Sequence, residues 1–109
     1  MKPLIWLGNS LKTVSAFEPV ARREAGYQLH RLQEGKDPSD WKPMSSVGLG
    51  VREIRIHTGR AYRLLYVAKF REGIYVLHAF EKKTMKTPAA DIDLAARRFK
   101  AIAAKDGGA

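Results

Sequence analysis

The stretch Val51-Arg52-Glu53-Ile54-Arg55-Ile56-His57-Thr58-Gly59-Arg60-Ala61-Tyr62-Arg63-Leu64-Leu65-Tyr66-Val67-Ala68-Lys69-Phe70 decides the fold. Apolar and polar residues alternate with a period of two on either side of Thr58-Gly59-Arg60, which is the pattern of a β-hairpin with a glycine in its turn. A third alternating run covers residues 74–81, after a second short turn at Arg71-Glu72-Gly73. The spacing therefore predicts three consecutive antiparallel strands over residues 51–58, 61–70 and 74–81. In the middle run Tyr62, Leu64, Tyr66, Ala68 and Phe70 line one face, and Arg63, Leu65 and Val67 the other. A strand apolar on both faces belongs at the centre of a sheet, with helices packed across it.

Outward from this core the period changes to that of helices. Ala21, Ala25, Leu29 and Leu32 recur at helical spacing between Glu18-Pro19 and Gly35. Proline suits the first helical turn, where its missing N–H costs nothing, and glycine suits the left-handed residue after the last turn. This predicts a helix over 19–34. Asn9 and Ser10 predict the cap of a short helix running to about Phe17, after an apolar edge strand at residues 4–7. Thr87 as N-cap and Pro88 as first residue predict a final helix with Ile92, Ala96, Phe99 and Ala103 as its apolar stripe. Residues 106–109 are expected to fray. Residues 36–50 carry Pro38, Pro43, Gly48 and Gly50 and no usable period, so they read as a long loop. Within it Trp41 serves either as a lid aromatic or as a plug at the core edge. The expected architecture is α+β, one domain of order β-α-α-β-β-β-α, a small antiparallel sheet packed with helices.

The bulk composition narrows the function. The chain has 109 residues, 45% of them hydrophobic, which is ample for a core and too apolar for a disordered segment. It has no cysteine, so a disulfide framework, a thiolate zinc site and a thiol nucleophile are excluded. No apolar run reaches the roughly 18–20 residues that span a bilayer, and the expectation is a soluble cytoplasmic protein. Twenty Lys and Arg against eleven Asp and Glu leave a net charge of +9, an excess that attracts polyanions. Nucleic acid is the first such partner to consider and an acidic protein surface the next.

Familiar catalytic constellations are missing. His30, His57 and His78 lack metal-ligand spacing, so neither a metal nor another cofactor is expected. His78 alternates with Val76 and Phe80 and reads as a core histidine. What gathers is positive charge: Arg55 and Arg63 on neighbouring strands, then Lys82, Lys83 and Lys86 after the last one. A charge inside an apolar central strand is costly unless it is paired or faces an open cleft. Arg63 has two readings on that ground, an ion pair with Glu53 and a functional cation. For Lys82, Lys83 and Lys86 the competing reading is a solvated loop.

Four segments in this order resemble the phage-related branch of the RelE/HigB toxin family: Glu53-Ile54-Arg55-Ile56, Tyr62-Arg63-Leu64-Leu65-Tyr66, Leu77-His78-Ala79-Phe80-Glu81-Lys82-Lys83-Thr84 and Lys86-Thr87-Pro88. The Leu32-Gln33-Glu34-Gly35 and Trp41-Lys42-Pro43 segments are also similar to it. The resemblance implies the toxin of a toxin–antitoxin pair, a metal-free endoribonuclease that cuts messenger RNA on the ribosome through the ribose 2′-OH. It implies Arg63, Lys82 and Arg55 as catalytic cations, with Lys83, Lys86 and Trp41 in RNA binding. A helix-turn-helix antitoxin, the ribosome and mRNA are the implied partners. Some relatives carry a tyrosine or histidine near the C-terminus. Here the last of each are Tyr75 and His78, so stacking on a base would fall to Trp41 or Tyr62. ParE-type relatives share the scaffold and poison gyrase instead, and a basic module that only binds an antitoxin is the third reading.

Overall fold

The computed structural model describes residues 1–105. Its elements are β1 (Leu4–Trp6), α1 (Ser10–Ser15), α2 (Pro19–Gln33), β2 (Trp41–Pro43), β3 (Val51–His57), β4 (Ala61–Val67), β5 (Ile74–Lys82) and α3 (Ala89–Lys105). The α+β class, the edge strand at the start and the central place of β4 are as expected. The strands form one sheet in the order β1-β5-β4-β3-β2. Two features depart from the expected topology. Trp41–Pro43, inside the predicted loop, forms a short fifth strand antiparallel to β3. β1 pairs parallel to β5, so the sheet is mixed rather than purely antiparallel. Trp41-Lys42-Pro43 has neither an apolar run nor a period to mark it as a strand, and pairing direction is set by where the connection leads.

Helices cover both faces of the sheet. On one, Val14, Phe17, Ala21, Ala25, Leu29 and Leu32 of α1, α2 and their connection pack on Ile54, Ile56, Leu64, Tyr66 and Val76. On the other, Ala95 and Ile102 of α3 pack on Val51, Leu65, Val67, Leu77 and Phe80. The predicted α3 stripe of Ile92, Ala96, Phe99 and Ala103 flanks this second cluster half-buried, and the deepest positions are Ala95 and Ile102. β4 ends three residues earlier than the alternation suggested. Phe70 consequently leaves the Tyr62–Leu64–Tyr66 face and packs against Tyr75 and Phe99 on the α3 side.

The helix ends show where local chemistry was sufficient. Gly35 has φ +82°, its N–H donates to Leu32 O, and Lys36 N–H donates to Arg31 O. These are the two bonds of a Schellman ending, which satisfies carbonyls that α2 would otherwise leave open. The predicted side-chain caps did not form. Asn9 makes no capping bond to α1, and its Oδ1 instead accepts from Arg98 Nη2 at 3.3 Å. α3 begins after Pro88, whose carbonyl accepts from Asp91 and Ile92, while the Thr87 hydroxyl turns to Glu53. In both places a tertiary partner outcompetes the local bond. The expectation for residues 106–109 lies outside the described residues. No helix among the described residues is long and apolar enough to cross a membrane.

Candidate functional site: a cationic cluster on the α3 face

Alternation along β3 sends Val51, Glu53 and Arg55 to the α3 face and Arg52, Ile54 and Ile56 to the other. Across the sheet Arg55 lies directly opposite Arg63, Glu53 opposite Leu65, and Arg63 opposite Phe80. Ala61 lies opposite Lys82. The α3 face is therefore apolar at the Val51–Val67 end and charged at the Arg55–Arg63–Lys82 end. α3 follows β5 and so starts near that charged end, where Arg63 is buried and Lys82 is partly exposed.

Glu53 is the centre of the cluster. Its side chain is fully buried. Arg63 Nε lies 3.6 Å and Lys42 Nζ 3.7 Å from its Oε1, and the Thr87 hydroxyl donates to its Oε2 at 3.3 Å. Arg63 is itself only 3% exposed, and its Nη1 donates to Tyr62 O at 2.9 Å. The guanidinium is thus fixed at two points, with donors on its outer nitrogens left over. Neither Glu53 Oε1 nor Arg63 Nε has a hydrogen bond of good geometry, and buried Arg55 Nε has none either. A buried pair held this loosely contributes little stability, because desolvation offsets the Coulombic attraction unless geometry is excellent. Its presence on a core face therefore needs a reason other than stability.

Charge in the cluster is unbalanced. Lys42, Arg55, Arg63 and Lys82 gather about buried Glu53, with Asp40 as a second, more exposed counter-charge to Arg63. Burial and the neighbouring Arg63, Lys42 and Arg55 charges hold the Lys82 ammonium below its ordinary value, against the opposing pull of Glu53. Burial, with help from Arg55, also lowers Arg63, although Glu53 opposes the shift. An arginine lowered from its ordinary value stays cationic in the neutral range. The arrangement is suited to receiving a phosphate: a planar fork fixed from behind, a second guanidinium beside it, and two mobile ammonium groups at the rim.

Of the six residues singled out from sequence, Arg55, Arg63 and Lys82 converge at this site. Lys83 and Lys86 are exposed in the turn between β5 and α3, whose neighbour Thr87 touches Glu53. Trp41 is on the wrong side. It pairs with Ile54 on the α2 face, half-buried, with Arg52 Cζ 3.9 Å above its ring. It does not stand over the cations of the α3 face. Tyr62, the other stacking candidate, also faces α2 and packs on Phe17 at 4.4 Å between centroids. The aromatic on the correct face is Phe80, opposite Arg63 and stacked with His78.

Sequence reading missed three contributors. Lys42 reaches Glu53 only because β2 exists, and three residues within a loop gave no signal of it. Thr87 looked like a cap. His78, read as a core residue, is buried but shares a 2.6 Å hydrogen bond with Asp91 in the first turn of α3. That bond ties the helix to the sheet beside Phe80. The Glu53–Arg63 pair itself was one of the two readings open for Arg63. The structure forms that pair, with Arg55 directly across the strand from Arg63.

The fold and site thus define a small basic α+β domain with one cation cluster built onto a core sheet. The sequence matches the phage-derived protein Gp49-like family over residues 12–100, from α1 into α3, and the chain belongs to that family. No curated protein matches the sequence.

Proposed function

We propose that the chain is a RelE/HigB-type toxin that cuts messenger RNA on the ribosome without a metal ion. The observation that carries this reading is the convergence of Lys42, Arg55, Arg63 and Lys82 around one buried carboxylate on an otherwise apolar face. Membership of a phage-derived family and the net charge of +9 agree with it.

RNA supplies its own nucleophile, so the protein's work is to orient the backbone, stabilise charge and move protons. The 2′-hydroxyl gives its proton to solvent and its oxygen forms a bond to the adjacent phosphorus as the bond to the 5′-oxygen of the next nucleotide breaks, leaving a 2′,3′-cyclic phosphate. Arg63, held from behind by Glu53 and Tyr62 O, presents its remaining donors to the phosphate oxygens. Arg55 adds a second positive group, and Lys83 and Lys86 draw in the flanking backbone. Lys82 stabilises the developing charge and gives a proton to the departing 5′-oxygen. Its depressed pKa makes that transfer easier than from an ordinary lysine. An acidic segment of a helix-turn-helix antitoxin would neutralise the same cluster.

The test is controlled expression of the protein beside Arg63→Ala and Lys82→Ala, with 5′ ends mapped on translated messages. Cuts within ribosome-bound codons, reduced by about 10²–10³ in each variant, are expected. Lys82 lies at the rim, so its variant keeps the fold, where Arg63→Ala leaves buried Glu53 with Lys42 as its one remaining ion-pair partner. Growth arrest with intact messages would move the target to gyrase or another factor. No growth arrest would leave a module that binds its antitoxin and nothing else.

A further inference from the structure

The opposite face of the sheet carries a second cationic feature that RNA cleavage does not use. Arg52 directly precedes Glu53 and points the other way, opposite Tyr66. Its guanidinium lies on the Trp41 ring and donates through Nη1 to Asp37 Oδ1 at 3.0 Å. Beside it is a cavity of about 380 Å³ lined by Lys2, Leu32, Lys36, Asp37, Arg52 and Tyr66. Tyr66 is 1% exposed, and its buried hydroxyl has no hydrogen bond of good geometry among the described residues. A buried donor left open in this way is costly, so an acceptor that enters the cavity gains what the hydroxyl lacks. Burial raises the phenol above its ordinary value against the opposing pull of the neighbouring Arg52 guanidinium, which can only donate to the phenol oxygen and leaves its O–H without an acceptor.

The charges around the cavity favour an anion. Arg31 Nε donates to Asp37 O, Lys2 Nζ donates to Ala68 O, and Lys36 Nζ lies 3.6 Å from Glu34. Of the residues lining the cavity, Lys2, Lys36 and Arg52 bring positive charge against the one carboxylate of Asp37, while Arg31 and Glu34 lie outside the lining. Lys69 adds only its stem, because its ammonium sits over the Phe70 and Phe99 rings at 5.3 and 5.4 Å. The Asp37 side chain is 68% exposed and comes from the loop after α2. It occupies the Arg52 fork as a carboxylate that an incoming oxyanion can displace.

We propose that this cavity is a phosphate-binding pocket, separate from the Arg63 cluster. Arg52 supplies the planar fork, the Tyr66 hydroxyl donates from the floor, and Lys2 and Lys36 close the rim. A tetrahedral oxyanion accepts from all three directions at once, which a planar carboxylate such as Asp37 does not. The ligand is a phosphate group, whether free or part of an RNA backbone.

The test is an NMR titration of the full chain, read at the Arg52 Nε–Hε and Tyr66 ring signals. The probes are inorganic phosphate and a short 2′-O-methyl RNA, which resists attack by its own 2′-oxygen. Saturable shifts with inorganic phosphate assign a free phosphate ligand, and saturation with the oligonucleotide alone assigns a backbone phosphate. Asp37→Asn removes the competing carboxylate and is expected to tighten binding several-fold. Tyr66→Phe is expected to weaken it by about 3–10-fold and Arg52→Gln by about tenfold or more. Shifts confined to the Arg55–Arg63–Lys82 side, or an affinity indifferent to Asp37→Asn and Arg52→Gln, would overturn the pocket. Cleavage plays no part in this readout, so pocket and nuclease stand or fall separately.

Discussion

The two faces of the sheet are made by the same strands and obey different rules. On the α2 side every inward position of β3 and β4 from Ile54 to Tyr66 is apolar or aromatic, and the helices close over it. On the α3 side the same strands place Val51, Leu65 and Val67 at one end and Glu53, Arg55 and Arg63 at the other. The first face is apolar through its centre, with Arg52 beside Tyr66 at its edge. The second gives up part of its core to hold charges that water would solvate better. A buried ion pair of this kind adds little stability over an apolar replacement, so the two faces should answer to substitution differently.

The largest expected effect breaks the charged face. Glu53→Ala leaves Arg63 buried without its counter-charge, and denaturant unfolding should show a loss of about 3–5 kcal/mol. The paired change Glu53→Leu with Arg63→Met sharpens the point. It is expected to be neutral or more stable by about 1–4 kcal/mol while abolishing any cleavage. A double variant as unstable as Glu53→Ala would mean the pair is structural after all.

The apolar face should respond by a different mechanism. Leu64→Ala removes a fully buried side chain from the centre of β4 and should cost about 2–5 kcal/mol through lost burial and a cavity. Cleavage per folded molecule should not change. A selective fall in activity there would show that the two faces are not independent.

A smaller effect follows from Lys82. If its ammonium is the proton donor, the cleavage rate is flat below the folded-state pKa and falls up to about tenfold per pH unit above it. Since that pKa is lowered from 10.5, the fall begins earlier than an ordinary lysine allows. The sign for stability is opposite. Between the folded value and 10.5 the unfolded chain holds a proton that the folded chain has released, so stability from this group rises with pH. A rate profile unchanged in Lys82→Arg would remove the lysine from proton transfer.

The smallest expected effect concerns Trp41. Trp41→Leu loses the contact with Arg52, worth about 0.5–1 kcal/mol at an exposed site, and should leave cleavage intact. A large loss of cleavage would contradict its position on the α2 face and restore it as a partner of the RNA.

How much of this was legible in the sequence depends on the range of the interaction. The period-two runs, the glycine turns, the α2 stripe and the Gly35 ending were all readable, because each is decided within a few residues. Arg63 stood out for the same reason, as a charge inside an apolar strand. The faces of Trp41 and Phe70, the fifth strand, the parallel pairing of β1, and the partners of Thr87, Asn9 and His78 were not readable. Each of these depends on which distant segment arrives beside it. The sequence by itself determined the elements, the central strand and the excess of positive charge. Only the tertiary structure decided that Glu53 sits inside the cations, that Lys42 joins them, and that Trp41 does not. A side chain's periodicity is written into its neighbours in the chain, whereas the partner of a buried charge is chosen by the packing of the whole domain.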